Sequence, residues 1–224
     1  MGDTIKANTD CRHSNMVVTQ ISLRQKTVMN ETLNTIYQRR AVRKYKKTAV
    51  SRKLINQILN AGMMAPSAIN MQPWKFYVLM DAQQIGEFSK AIRQGAIKGI
   101  FRQGLRKVAK TVVSALTFPS AADFSRQEDM VFHGAPVVIF ITSPKDSEWA
   151  SLDIGMCSQN IMLAAKSLGL DTCPIGMAKY VTYTDLYPKL GIPKDEVVNL
   201  AIVLGYGAEQ PLMHVRSANN VTFL

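Results

Sequence analysis

Two long apolar segments constrain the fold more than any other feature of the sequence. Residues 135–142 are Ala-Pro-Val-Val-Ile-Phe-Ile-Thr, and residues 197–206 are Val-Val-Asn-Leu-Ala-Ile-Val-Leu-Gly-Tyr. Both are rich in β-branched side chains, and neither alternates regularly between apolar and polar residues. This pattern predicts strands that are buried on both faces. A sheet of such strands needs helices on both sides, which places the chain in the α+β or α/β class.

Helical patterns flank the two strands. Ser51 is a predicted N-cap for a helix that runs to about Met64, and Pro66 ends it because proline disfavours helical geometry in the residue before it. Gly169 has the position of a helix C-cap. Further helices are predicted at residues 31–39, 81–93, 96–116, 149–168 and 182–190, and a short strand is predicted at 76–80.

The chain has 224 residues, of which 47% are hydrophobic. That is enough for one domain with a core, and we predict a single domain at residues 31–224. Residues 1–30 are polar and aperiodic, which predicts a mobile N-terminal arm. The alternative is that translation starts at Met16 or Met29.

The net charge of +11 is unevenly distributed. No acidic residue occurs at 88–122, where the basic residues are Lys90, Arg93, Lys98, Arg102, Arg106, Lys107 and Lys110. This segment predicts either a helical lid at about residues 88–128, whose cations attract an anionic substrate, or a solvated helix face. A non-enzymatic binder of anions or nucleic acid fits less well. Single-strand binders interleave aromatic with basic residues, and Phe101 is the only aromatic residue between Lys90 and Lys110.

Other features argue against several classes of partner. No apolar run reaches the roughly 18–20 residues that span a bilayer, so no membrane partner is predicted. The three cysteines, Cys11, Cys157 and Cys173, form no CxxC pair, which indicates reduced thiols and a cytoplasmic location. The sequence has no metal-ligand cluster, catalytic triad or paired carboxylates, and His13 and His133 are expected to be structural or on the surface.

Two short segments have the composition of a ligand site. Residues 39–45 are Arg-Arg-Ala-Val-Arg-Lys-Tyr, and guanidinium groups bind phosphate oxygens in a bidentate way. A solvated basic helix end is the alternative. Residues 65–76 are Ala-Pro-Ser-Ala-Ile-Asn-Met-Gln-Pro-Trp-Lys-Phe. Such a stiff loop presents backbone and amide hydrogen bonds that suit the edge of a planar heterocycle, and the alternative is a structural loop with Trp74 in the core.

Taken together, the two segments resemble the nitroreductase family of FMN enzymes. The resemblance continues through residues 134–138, 158–165, 168–172, 190–193 and 204–207. It implies an α+β fold in which a central, mostly antiparallel sheet of about four to five strands is flanked by helices. It also implies an intertwined homodimer that holds FMN at its interface.

The resemblance assigns one group of residues to the FMN phosphate and ribityl chain. They are Arg39, Arg40, Ala41 and Arg43 in the first segment, and the C-terminal pair His214 and Arg216. A phosphate needs several cationic donors, which the arginines supply. Two positions depart from the family pattern, because Ala41 stands where serine is usual and His214 stands where lysine is common. The hold of His214 on a phosphate would weaken as the imidazole loses its proton.

A second group is assigned to the flavin ring. Ser67, Ala68 and Asn70 match the loop that reaches the FMN from the other subunit, and Pro66 and Gln72 of the same loop are also assigned to cofactor binding. Pro174, Ile175 and Gly176 match a stretch whose backbone faces the reactive side of the ring, and no side chain is assigned a catalytic role. Gly176 keeps the backbone close to the flavin without a Cβ in the way, whereas Met177 follows where a second glycine is often found.

The implied activity is the reduction of nitroaromatic, quinone or related small-molecule acceptors by NADH or NADPH. FMN carries the hydride chemistry in a ping-pong scheme, and the protein positions it. No Rossmann fingerprint is present, since no helix with a third glycine follows Gly205 and Gly207. The same scaffold serves flavin-dependent dehydrogenases, dehalogenases and flavin-destroying enzymes, and the core motifs do not separate these alternatives.

Overall fold

The computed structural model describes residues 30–102, 129–217 and 220–224. The predicted N-terminal arm, apart from Asn30, and the part of the predicted lid beyond residue 102, up to 128, lie outside the described residues. The α-helices are α1 (Glu31–Gln38), α2 (Arg52–Met63), α3 (Ala82–Arg102) and α4 (Ala150–Ser167). The strands are β1 (Lys75–Leu79), β2 (Val137–Pro144), β3 (Asp171–Ile175) and β4 (Glu196–Gly205). Short 3-10 helices span Ala68–Asn70, Gly176–Tyr183 and Tyr187–Leu190.

The four strands form one sheet in the order β1-β2-β4-β3, and each neighbouring pair is antiparallel. The two apolar segments singled out in the sequence become the central strands β2 and β4. This arrangement confirms the predicted α+β class with an antiparallel sheet. No helix within the described ranges is long and apolar enough to cross a membrane.

Alternate residues of the central strands enter two separate cores, as the pleat of a strand requires. On one face, Val137, Ile139 and Ile141 pack in a cluster with residues of α2 and α4. On the other face, Val138 and Phe140 pack with residues of α3 and of the 3-10 helix Gly176–Tyr183. Helices therefore cover both faces of the sheet, as predicted from its lack of polar alternation.

The helix ends follow the capping residues read from the sequence. The Ser51 hydroxyl accepts a hydrogen bond from the Leu54 amide at 3.3 Å, which satisfies one unpaired donor at the start of α2. Gly169 follows the end of α4 with φ of +76°, the left-handed geometry that glycine adopts at low cost. Both predicted caps are confirmed.

The structure corrects the prediction of separate helices at 81–93 and 96–116. A single helix, α3, runs through residues 94–95 and continues to Arg102. Gly95 lies inside it because the helix packs closely on the 3-10 helix Gly176–Tyr183. A Cβ at Gly95 would lie 2.9 Å from the Tyr180 carbonyl oxygen. Gly95 is therefore needed for a contact between two helices. From the sequence alone, such a glycine cannot be distinguished from one that ends a helix.

Two further differences concern the region after α4. The helix predicted at 182–190 is wrong, since this stretch contains parts of two 3-10 helices, one of which has Pro188 near its start. Strand β3 was not predicted, because Pro174 argues against a strand interior. The structure accommodates this proline because β3 is an edge strand, where one side of the backbone needs no ladder hydrogen bond.

Glu196 joins three strands at one end of the sheet. Its side chain is 2% exposed, and it accepts hydrogen bonds from Lys75 on β1, from Thr142 on β2 at 2.6 Å, and from the Tyr77 hydroxyl at 3.2 Å. Burial alone would raise the pKa of Glu196, but the bonds from Lys75, Thr142 and Tyr77 outweigh it, and the pKa is lowered. The carboxylate therefore contributes to the stability of the sheet.

Replacing Glu196 with Gln should lower the free energy of unfolding at pH 7 by about 1.5–3 kcal/mol, the range for a hydrogen bond to a charged group. A lowered folded-state pKa means that this contribution is present above the unfolded pKa of about 4.3 and is lost as the pH falls through the folded value. Urea unfolding of the wild type and of the variant between pH 7 and pH 3 measures this contribution to the free energy of unfolding. The exposed Glu148→Gln variant is the control, and a Glu196→Gln deficit that stays constant with pH would contradict the assignment.

Candidate functional site

The arginine-rich segment lies against the edge of the sheet. Ala41 forms a parallel bridge with Thr172 of β3, and the Val42 amide donates to the Thr172 carbonyl at 3.0 Å. Further along, the Lys46 amide donates to the Tyr206 carbonyl and the Ala208 amide to the Lys44 carbonyl, both at 2.8 Å. Backbone hydrogen bonds therefore fix the segment between β3 and the residues that follow β4.

In an extended segment, successive side chains point to opposite sides, so the arginines of this segment have different surroundings. Val42 is buried in the protein. Arg40 donates through Nη1 to the Tyr37 and Arg39 carbonyls, at 2.6 and 2.8 Å, which satisfies acceptors at the end of α1. Its side chain lines a recess with Lys166 and Asp171. Arg39 is half-buried and Arg43 is exposed, and neither makes a side-chain hydrogen bond within the described residues.

Like charges are concentrated around Arg39. Its pKa is lowered, first by burial and then by the neighbouring guanidinium groups of Arg40 and Arg216. The charge of Arg216, in the C-terminal segment, therefore acts on the first segment. In the described ranges the ion pairs are Lys75–Glu196 and Lys166–Asp171, so Arg39, Arg43 and Arg216 form no ion pair with a described carboxylate. A phosphate dianion would relieve their repulsion.

The end of β3 borders the same cluster. Thr172 of β3 pairs with Ala41, so Cys173 follows directly after the point where the strand meets the arginine-rich segment. Burial raises the pKa of the Cys173 thiol, while Arg43 and Arg39 act in the opposite direction. Gly176 is exposed, and a Cβ added there would meet nothing within 4 Å. Open space over a backbone without a side chain suits a flat ring. The arginine-rich segment pairs with β3, and the open backbone at Gly176 follows the end of that strand.

The loop predicted to contact the flavin has a strained backbone. Ile69, Asn70 and Gln72 have φ values of 44°, 61° and 45°, and each such non-glycine residue costs about 1–3 kcal/mol. The Ser67 hydroxyl accepts from the Gln72 amide, and Gln72 Nε2 donates to Asn70 Oδ1, both at 3.0 Å. These bonds keep the loop in its unusual shape. Strain of this kind is typical of ligand-binding segments.

The loop is anchored at a different place from the arginine segment. The Ala68 amide donates to Asp153 Oδ1 at 3.2 Å, which attaches the loop to the first turn of α4. No hydrogen bond or ion pair among the described residues joins the loop to residues 39–45. Ile69, at the tip, is 93% exposed. One chain therefore presents the two predicted halves of the site without joining them.

Several residues near the site were not predicted from the sequence. Glu209 Oε1 accepts a hydrogen bond from the Arg43 amide at 2.6 Å, and no motif marks this residue. Gly207 lets the chain pass beside β3, since a Cβ there would overlap the Asp171 carboxylate. His133, which seemed isolated in the sequence, is buried, and its pKa is lowered by burial and then by Arg43.

One signal in the sequence could have identified Asp153, which is the single carboxylate between Glu148 and Asp171. His214, which the resemblance assigned to the phosphate, is exposed in the C-terminal segment.

Comparison with known proteins gives relatives along most of the chain. The chain is 32% identical over 197 residues to a nitrobenzene nitroreductase of Ectopseudomonas oleovorans, with 76% of this chain and 84% of that protein covered. It is 28% identical to a putative NADH dehydrogenase/NAD(P)H nitroreductase of Archaeoglobus fulgidus, with 81% and 88% covered.

Solved structures also resemble this chain. A nitroreductase with bound FMN from Bacteroides fragilis superposes with a TM-score of 0.65 at 26% identity, covering 88% of this chain and 100% of that one. A nitroreductase with bound FMN from Desulfitobacterium hafniense gives a TM-score of 0.71 at 24% identity, covering 88% and 99%. The Nitroreductase family model matches residues 36–206, which is most of the chain. From this match and the identity to its relatives, the chain belongs to the nitroreductase family.

Proposed function

We propose that this protein is an FMN-dependent oxidoreductase that uses NADH or NADPH to reduce small-molecule acceptors. The observation that carries the proposal is that Arg39, Arg43 and Arg216 form no ion pair with a described carboxylate, while Arg40 and Arg216 lower the pKa of the half-buried Arg39 further than burial does alone. The exposed backbone at Gly176 follows β3, the strand with which the same segment pairs. A phosphate group would take the place of the missing counter-charge. The ring of the same ligand would lie over the backbone at Gly176.

The chain's own residues would bind and orient the cofactor. Arg39 and Arg43 would hold the phosphate, and Arg216 would close on it from the C-terminal segment. Ile175 and Gly176 would approach the ring through their backbone, which leaves its face accessible. Bound FMN would supply the hydride chemistry between the nicotinamide and the acceptor.

Relatives guide the proposal for the acceptor. Three of them are named for nitrobenzene, chloronitrobenzene and 4-nitrobenzoate. We therefore propose nitroaromatic compounds as the first acceptors to test, with quinones second. Met177 follows the open backbone at Gly176 and is 38% exposed, so its side chain would limit the space for an acceptor beside the ring.

A second copy of the chain would complete the site. The loop 66–72 is not joined to the arginine segment, and apolar side chains are exposed on both sides of its anchor at Asp153. These side chains are Met63, Met64, Ile69 and Met71 near the loop, and Trp149 and Leu152 at the first turn of α4. A surface of this kind is typical of protein interfaces. In a homodimer, Ser67, Ala68 and Asn70 of one copy would reach the polar ring edge of FMN bound to the other.

The cytoplasmic location remains a prediction.

The purified protein should be yellow, or should become yellow after incubation with FMN and removal of excess cofactor. It should then oxidise NADH or NADPH in the presence of nitrobenzene or a quinone. Absorption spectra and the decrease of nicotinamide absorbance measure the two properties. A colourless protein that does not take up FMN would be incompatible with the proposal.

Replacing Arg43 with Ala should weaken FMN binding far more than it weakens the fold. Loss of a charge-assisted hydrogen bond of about 1.5–3 kcal/mol corresponds to a dissociation constant that rises roughly tenfold to hundredfold. The backbone amide that Glu209 accepts from is retained, so the segment should keep its place. Flavin fluorescence titration measures affinity, with the exposed Arg52→Ala as the control. An Arg43→Ala variant that keeps FMN through dialysis as wild type does would refute the assigned role.

Replacing Ile69 with Glu should shift the protein from dimer to monomer, because it places a charge in the centre of the proposed apolar interface. Sedimentation velocity over a range of concentrations measures the change. Met80→Glu, at the far end of β1 from the loop, is the matched control and should remain dimeric. A wild-type protein that is a stable monomer and still holds FMN would show that the site needs only one chain.

A further inference from the structure

Asp153 is buried in the first turn of α4, and only one of its two carboxylate oxygens has a hydrogen-bond partner among the described residues. The side chain is 1% exposed. Oδ1 accepts the Ala68 amide at 3.2 Å, across 85 residues of sequence. Oδ2 is buried and has no hydrogen-bond partner among the described residues. Such a group is costly in an apolar interior, so its presence calls for a reason other than stability.

The contact that Asp153 does make is with the strained loop. Ala68 begins the 3-10 turn Ala68–Asn70, and the residues with positive φ follow it at once. The other bonds described for the loop, between Ser67, Asn70 and Gln72, are internal to it. They preserve the shape of the loop but do not fix its position on the protein. Among the described hydrogen bonds, the one to Asp153 attaches the turn to a helix.

The oxygen of Asp153 gives the loop a fixed point of attachment on the protein. The Ala68 amide lies 3.2 Å from Oδ1, within the range of a backbone hydrogen bond. Loss of this acceptor would leave the Ala68 amide without a described partner and would free the loop to relax to a less strained shape.

We propose that Asp153 is a positioning residue, which holds the loop 66–72 in the geometry that receives the cofactor. The inference rests on the proposed function, in which Ser67, Ala68 and Asn70 contact FMN. Asp153 contacts neither cofactor nor substrate in this scheme. It acts through the Ala68 amide.

Three substitutions separate positioning from a merely structural role. Asp153→Asn keeps an oxygen of the same shape that can accept from Ala68, and it removes a buried charge without a counter-ion. Asp153→Ala removes the acceptor. Ser158→Ala, in the same helix, removes another buried oxygen without a described partner, at a residue that makes no hydrogen bond to the loop.

FMN affinity and thermal unfolding are measured for each variant and for the wild type. Asp153→Ala should weaken FMN binding about tenfold or more with little change in Tm. Asp153→Asn should restore affinity to within about threefold of the wild type, and Ser158→Ala should leave it unchanged. Equal affinity in Asp153→Ala and the wild type would overturn the proposal. So would a parallel loss of Tm and affinity in that variant, which is the result of a structural role.

Hydrogen exchange of the cofactor-free protein tests the same residue without flavin. The Ala68 amide should be protected in the wild type and in Asp153→Asn, and should exchange faster in Asp153→Ala. Equal exchange in all three would overturn the positioning role. If exchange behaves as expected but the wild type does not bind FMN, the proposed function fails, while the contact between Asp153 and the loop stands.

Discussion

The backbone hydrogen bonds that hold residues 41–46 against β3 and the residues after β4 are the constraint on which the candidate site depends. The Val42 amide and the Lys44 carbonyl are committed to this pairing at 3.0 and 2.8 Å, and Val42 is buried beneath it. Because the backbone of residues 41–46 is fixed, only the arginine side chains have to be ordered when a ligand binds. Less conformational entropy is then lost on binding. Glu209 strengthens the same arrangement through the Arg43 amide.

The two halves of the candidate site are held in place by the same kind of hydrogen bond. In each half, a carboxylate from a distant part of the chain accepts a backbone amide of the ligand-binding segment, Glu209 for Arg43 and Asp153 for Ala68. An acid near a phosphate site would reduce anion binding if its charge were free, but a carboxylate that accepts an amide has part of its charge satisfied locally. The positive field of Arg39, Arg43 and Arg216 is therefore kept, while the backbone gains a strong acceptor.

The central strands could be predicted from the sequence because their burial on both faces leaves a direct mark on composition. The caps at Ser51 and Gly169 follow local chemistry and were also predictable. Strand β3 and the role of Gly95 could not be predicted, because both depend on segments that are distant in the sequence. Pro174 is acceptable only at a sheet edge, and Gly95 is needed only where a carbonyl of another segment approaches. Residue-level roles for Arg39, Arg43 and the loop came from a family resemblance. Asp153 and Glu209 act through the backbone of other segments, and such contacts leave little trace in sequence.

The position of residues 41–42 on β3 has a consequence beyond ligand binding. The outer edge of a sheet can pair with strands of other molecules, and natural proteins block such edges with prolines, charges or covering segments. Here Pro174 interrupts the donors of β3, and the arginine segment covers Thr172 with its own backbone. The covering segment carries several positive charges, which repel a second molecule that approaches edge to edge. Residues 39–45, which we propose to hold the anion, would thus also protect the sheet against aggregation.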